Sequence, residues 1–431
     1  MRKTAAVFVL GTTLALTGCS SGGGQSDRLP DTVNLGVLVT LSGSDPAQNA
    51  EGEARLQGAQ LAAALINNPD PGIKLPAQLG KAKLRVTSQD TKGDQNGAAD
   101  AANRLTAQAG DNRIAGIISA DSADVTAIAA PHAQVAGIPL VTAIATEGFL
   151  TQLSQTILYR TVPTDDVLVA SAFKLERQVS RSLHPKVGVL TTGNNDVVQA
   201  ISNQAANDGD ATATSTVNGT NFTGGAHTLM NNHPNVVFAV AETANDAMAM
   251  TDALGATDVP AVFGMGPGFS SPDYRNNSGT AVLRPVAWSP DSAIHNKMGQ
   301  AVATAYQHRF NKPMTATAAE TFTATVVLAS AIGKAHSINP GRVTGALADL
   351  TLNGLQLPTP WAGVQFDDLH ENSRAGAVIE QVHGATAQVV YPPEIATTQP
   401  PSTVTLTAAV RSGRSTGGSI RVTPASWGLT P

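Results

Sequence analysis

The chain has 431 residues, too many for one ordinary domain and about right for two or three. Hydrophobic residues make up 42% and charged residues only 14%, a composition that builds a globular core and excludes a disordered chain. The net charge of −5, aromatics at 4% and the lack of any Lys/Arg cluster exclude a nucleic-acid partner, which requires concentrated positive charge and stacking surfaces.

The first residues carry a basic pair, Arg2 and Lys3, then a mostly apolar stretch at 5–16. That stretch is shorter than the roughly 20 residues a bilayer span needs, so it reads as a secretory leader. It ends Leu16-Thr17-Gly18-Cys19, and Cys19 is the only cysteine, which excludes an internal disulfide. The string resembles a bacterial lipoprotein cleavage box, which implies a lipid on Cys19 and an extracytoplasmic protein anchored to the cell membrane. The competing reading is an ordinary leader with an incidental cysteine. Residues 20–27 are Ser/Gly-rich and read as a flexible tether.

From residue 33 one pattern repeats: a short β-branched run, a Gly/Asp/Ser turn, then an Ala-rich helical stretch. Strands are expected at 33–40, 84–90, 114–118 and 139–142, with helices at 51–67, 96–109 and 122–136. The pattern restarts with a helix at 165–183, a strand at 186–191 and a helix at 196–208. A strand at 236–241, a helix at 243–254 and a strand at 261–263 follow. After an extended run at 282–288 come helices at 294–310, 316–334 and 342–350. Late strands are expected at 364–366, 377–382 and 387–390. The strand runs are continuously apolar, as in buried parallel sheets, and the alternation implies helices on both faces. The fold class is therefore α/β with two halves. Beyond Tyr391 the chain is rich in Pro, Thr, Ser and Gly and reads as a tail over 392–431, with one added strand near 404–409.

"VNLGVLVTLSG" followed by "LQGAQLAAALIN" resembles the opening of the branched-chain amino-acid-binding type of periplasmic receptor, the type I periplasmic-binding fold. So do "IAGIISADSADVTAIAAPHAQVAGIPLVTAIAT", "YRTVPTDD" and "GLQLPTPWAGVQFDD". The resemblance covers about residues 33–391 and implies two Rossmann-like lobes joined by three crossovers, near 161–164, 285–289 and 357–363. Lobe one would hold 31–160 plus 291–356, and lobe two 165–284 plus 364–391. The leader would be 1–18, and Cys19 with its tether 19–30. The implied function is capture of a small-molecule ligand, amino-acid-like, for the membrane permease of an ABC importer. A lipoprotein that senses the ligand and signals to a membrane partner is the alternative reading.

Ligands of such folds sit at strand carboxyl ends. Those loops nominate Ser42 after the first strand, Asp121 and Ser122 after the third, and Ile144, Thr146 and Glu147 after the fourth. The resemblance makes Thr146 the hydroxyl donor. Asp121 or Ser122 equally suits a helix cap. In the second half the positions are Asn195, Asp196, Glu242 and Phe269. The amino-acid receptors typically place an aromatic near the position of Asp196 and an acid near that of Gly268, and this chain carries neither there. Asp121, Asp124, Glu147, Asp196 and Glu242 stand in these loops with no Lys or Arg beside them, which favours a neutral, zwitterionic or cationic ligand.

Nothing points to catalysis. No His-Glu-x-x-His, Walker or Gly-x-Ser-x-Gly string occurs, and the nine histidines show no metal-ligand spacing. No enzyme activity, metal or cofactor is expected. Asp165/Asp166 and Asp367/Asp368 read as turn residues, and Trp288 and Trp361 as hinge packing.

Overall fold

The structure, a computed structural model, describes residues 28–152, 156–180, 184–193, 196–257, 261–271, 273–274, 282–383 and 386–398. The leader, Cys19 and the strand expected at 404–409 lie outside them. The first lobe opens with β1 (Thr32–Val39), α1 (Pro46–Asn67), β2 (Lys83–Asp90), α2 (Gln95–Thr106), β3 (Ile114–Ser119), α3 (Ala123–Ala136), β4 (Leu140–Thr142) and β5 (Leu158–Arg160). The sheet runs β2-β1-β3-β4-β5 with every pair parallel. Seven of the eight β1 residues and all of β3 are buried, which is why β3 reads as an apolar run and β1 as one but for Asn34. Helix α1 starts five residues before the sequence suggests. Asp45 accepts a hydrogen bond from the Ala47 amide and Pro46 occupies the first turn, a start signal stronger than the apolar periodicity behind it.

The second lobe begins with α4 (Asp165–Ser180), β6 (Val187–Thr191), α5 (Asp196–Asp208), β7 (Thr212–Thr216) and α6 (Phe222–Met230). It continues through β8 (Val236–Val240), α7 (Ala244–Gly255), β9 (Val262–Met265), α8 (Pro267–Ser270) and β10 (Val282–Val286). Sequence reading misses β7 and α6 for clear reasons. Strand β7 is an edge strand, Thr-Ala-Thr-Ser-Thr, with its ends exposed, and α6 contains Gly224-Gly225.

The chain then returns to the first lobe as α9 (Lys297–Phe310), α10 (Ala316–Ala335) and α11 (Pro340–Ala348). Strand β11 (Thr351–Asn353) pairs antiparallel with β12 (Gly363–Gln365), and Val364 and Phe366 pack in the first lobe's core. Strands β13 (Val378–His383) and β14 (Thr386–Tyr391) complete the second sheet, ordered β14-β13-β10-β9-β8-β6-β7 and antiparallel at its β10-β13-β14 edge. The chain stays fastened past Tyr391, because the Thr397 amide donates to Val389 O at 2.9 Å.

Helix α10 is the spine of the first lobe. By length and composition it could cross a membrane, yet 89% of its apolar window is buried between α1 and the sheet. Its buried Thr321, Thr323, Thr325 and Ser330 hydroxyls donate to carbonyls one turn back, so the helix carries polar side chains without unmet donors. A Cβ on Gly58 would lie 2.2 Å from Ala318 O, so the α1–α10 approach requires glycine there.

Three segments join the lobes, and they pack on one another; the third follows Phe366 and does not lie at the expected 357–363, because β12 and Phe366 belong to the first lobe. Val162, Ala287 and Trp361 form one small cluster with Ala375 against it. The Trp361 indole donates to Ala287 O at 2.8 Å, and the Trp288 indole to Pro358 O at 3.1 Å. Asn372 binds Thr161 O at 2.9 Å and Gly363 O at 3.2 Å through its amide nitrogen. Trp361 therefore packs at the hinge, as its sequence position suggests, whereas Trp288 is buried in the first lobe's core.

One buried acid ties stability to pH. Glu320 on α10 is 6% exposed, and burial pushes its carboxyl from 4.5 up to about 8 against the opposing pull of Arg55, with Glu51 adding to the rise. An acid raised in the folded state holds a proton the unfolded chain has lost. Its stabilisation is therefore complete below the unfolded value and is lost as pH climbs through 8. Urea unfolding is expected to show stability falling by about 1–2 kcal/mol between about pH 7 and pH 9. In Glu320→Gln that slope is expected to flatten; an unchanged slope contradicts the assignment.

Candidate functional site

The carboxyl ends of the first sheet present Thr40–Ser42, Asp90–Thr91, Ala120–Ser122, Ala143–Glu147 and Arg160–Thr161 in a row set by the strand order. Asp121 is buried among them. Its Oδ2 accepts from Thr40 Oγ1 at 2.8 Å and from Thr91 Oγ1, and its Oδ1 accepts from the Ser122 amide at 2.9 Å. One carboxylate thus laces the ends of β1, β2 and β3. Ser42 is exposed and donates to Asp90 Oδ2, while Asp90 Oδ1 takes the Leu41 and Lys92 amides at 2.9 Å each. Burial alone would raise the Asp90 carboxyl, but the Ser42 hydroxyl and these amides outweigh it and hold the group below its ordinary value. Asp121 and Ser42 therefore have protein partners that shape the loops.

Ser122 caps α3, accepting from the Val125 amide at 3.4 Å. The Ala123 and Asp124 amides lie ahead of the helix's own hydrogen-bond ladder and are left for an anion or solvent. Ile144, Thr146 and Glu147 are half-buried on the β4 loop.

That loop is held by Arg160, whose side chain is fully buried. Its guanidinium donates to Ala145 O at 2.5 Å and to Glu147 O at 2.7 Å, with Glu371 at 3.9 Å. Burial works against the Arg160 charge, while Glu371, Glu147 and Asp165 support it. This corrects the expectation that no cation accompanies the cleft acids. A buried arginine stands among them, with its two terminal nitrogens on backbone carbonyls and its Nε without a hydrogen-bond partner among the described residues.

At the first crossover the two lobes touch. The Asp165 amide donates to Thr146 O at 3.0 Å. Asp165 is 5% exposed and its Oδ2 has no hydrogen-bond partner among the described residues. Burial and the Glu147 charge push the Asp165 carboxyl up to about 7, with Asp196 adding to the rise and Thr146 and Arg160 opposing it. Burial likewise raises Glu147, against its own amide and Arg160. From the sequence Asp165 reads as a turn residue or a helix cap, and Arg160 is passed over. The available signal was a lone arginine ending the otherwise apolar run Ile157–Tyr159.

On the second lobe, Asp196 is exposed at the start of α5 and close enough to act on Asp165. Glu242 is exposed ahead of Thr243, which caps α7 by accepting from the Asp246 amide at 3.1 Å. Asn195 lies outside the described residues. Phe269 is 1% exposed and stacks edge-on against Tyr274 at 4.8 Å in the core. Its candidacy as a ligand contact is corrected on that ground: it fills the space beside Gly264. The structure thus brings Thr146, Glu147, Asp165 and Asp196 together, with Ser122 one strand away.

Replacing Arg160 is the direct test of this geometry. Arg160→Lys loses the fork that spans two carbonyls and is expected to cost about 2–4 kcal/mol in chemical unfolding. A cost under about 0.5 kcal/mol would show that the loop holds itself.

The sequence matches a family model described as periplasmic binding protein over residues 32–385. No curated protein matches it. Among solved structures, a leucine binding protein from Thermotoga maritima is 17% identical, with a TM-score of 0.66 over 83% of this chain and 97% of that one. An ABC transporter substrate-binding protein from Desulfitobacterium hafniense in complex with Leu is 18% identical, with a TM-score of 0.65 over 83% and 99%. A solute binding protein of an ABC transporter from Rhodopseudomonas palustris, in complex with 3,4-dihydroxy benzoic acid, is 16% identical, with a TM-score of 0.62 over 82% and 93%. At these identities the likeness is one of fold.

Proposed function

Because this chain belongs to the periplasmic binding protein family, a family of extracytoplasmic solute binders, we propose that it captures a small amino-acid-like ligand between its lobes. In this reading it is anchored by a lipid on Cys19 and delivers the ligand to the permease of an ABC importer. The observation that carries the ligand reading is the Thr146–Asp165 junction. There the strand ends of one lobe meet the first helix of the other, inside a field set by Glu147, Asp165 and Asp196.

The chemistry on either side of that junction suits a zwitterion or a cation. The Ala123 and Asp124 amides at the start of α3, ahead of the one Ser122 takes, can donate to a carboxylate. Glu147 and Asp196, joined by Asp165 as it ionises, favour a positive group, while two of the Arg160 nitrogens are engaged by Ala145 O and Glu147 O. The 3,4-dihydroxy benzoic acid bound by the R. palustris neighbour shows that the fold alone does not choose the ligand. The choice of an amino-acid-like ligand rests on this chain's own charges. Contact with both lobes lets the ligand stabilise the closed form over the open one.

Thermal unfolding with leucine, lysine, putrescine and glutamate tests the reading. A neutral or cationic ligand at a hundred times its Kd is expected to add about 2.7 kcal/mol of stability, and glutamate to add none. Thr146→Val is expected to fold and to lose about tenfold in affinity, the worth of one hydrogen bond to a charged group. Stabilisation by glutamate alone contradicts the charge argument, and unchanged affinity in Thr146→Val removes that residue from the site.

A further inference from the structure

The opposite pole of the first lobe has a different character. The strands begin there, with Thr32 of β1 paired to Lys83 of β2. Eight residues of parallel strand separate this pole from the cleft, about 25 Å at ~3.3 Å per residue. Two adjoining concavities of about 750 and 760 Å³ share Arg28, Leu29 and Asp31. Lys81, Lys334 and His336 line the first, and Arg342 lines the second. Arg28, Lys81, Lys83, Lys334, His336 and Arg342 are all exposed. Against these five Lys/Arg stand two acids, Asp31 and Asp349, the latter being the residue whose carbonyl takes the Lys334 ammonium. The pole is thus net positive by three, with histidine neutral, on a chain whose net charge is −5.

We propose that this pole is a docking surface for an anionic phospholipid bilayer. The inference rests on the reading of Cys19 as the lipid-anchored residue. The described chain starts at Arg28, inside the basic concavity. Residues 19–27 are nine in number, so their contour cannot exceed about 30 Å. An anchor on Cys19 therefore keeps this pole, and no other surface to the same degree, within that reach of the headgroups. Tethering raises the local lipid concentration so far that a modest charge attraction suffices. The attraction acts over about a Debye length, so the surface engages only when the pole lies against the bilayer. Lys83 and Lys334 also donate to Asn67 O and Asp349 O, which holds their ammonium groups at the surface beside the ends of α1 and α11.

The test uses the mature full chain with Cys19→Ser, so that charge is read without the lipid. It is sedimented with vesicles of phosphatidylcholine alone and of phosphatidylcholine with about 30% phosphatidylglycerol. Retention is expected to be about fivefold higher on the anionic vesicles at low salt, and to fall to the neutral value at about 0.5 M NaCl. The triple variant Lys81→Gln, Lys334→Gln, Arg342→Gln is expected to lose that gain. The charge-matched Lys174→Gln, Lys186→Gln, Lys297→Gln is expected to keep it, with both variants checked by thermal unfolding. Equal retention on both vesicles overturns the proposal, as does an equal loss in the two triple variants. So does no retention at all, the result expected if the pole serves a protein partner. The lipid reading is scored separately, by the mass of the amino-terminal residue of the wild-type chain recovered from membranes, so either idea can fail alone.

Discussion

The buried guanidinium of Arg160 is the constraint around which the cleft is organised. It sits at the end of β5, where the chain is about to leave the first lobe, and grips two carbonyls of the β4 loop. That grip fixes Thr146, and Thr146 in turn meets Asp165, the first residue of the second lobe's first helix. An unpaired arginine in this position would be costly, and Glu371, supplied by the last crossover, completes its surroundings. Three distant stretches of chain thereby converge on one point between the lobes. The same point carries the carboxyls that give the cleft its sign.

The design separates rigid from movable parts. Within the first lobe, Asp121 binds three strand ends together, and α10 packs along α1 with a glycine at the closest approach. Between the lobes lie the Asp165–Thr146 hydrogen bond, the Arg160–Glu371 approach, the Trp361 indole, the Asn372 amide and a small apolar cluster. A thin hinge between firm bodies permits closure on a ligand at little internal cost. The charges follow the same division. Acids gather at the cleft end of the first lobe and cations at the far end, about 25 Å away along the strands.

The fold was legible where burial is two-sided. Strands β3 and β8 are apolar runs, and β1 is one but for Asn34, because helices cover both faces. Strand β7 and helix α6 were not, because an edge strand of threonines and a helix with two glycines carry no such signature. The candidate loops were legible in place but not in their pairing. Strand-end loops can be named from the chain, and Thr146, Glu147 and Asp196 stand at the junction. That Ser42 meets Asp90 and Asp121 meets Thr40 could not be read, since those partners are 48 and 81 residues apart. Phe269 failed for a related reason. A strand-end position says nothing about which way a ring turns, and here it turns into the core.

Small-angle scattering with and without a stabilising amino acid examines hinge motion most directly. If two stiff bodies swing about the Val162, Ala287 and Ala375 segments, the radius of gyration shrinks once a ligand raises the unfolding temperature. A ligand that raises that temperature while leaving the scattering curve unchanged would contradict the account.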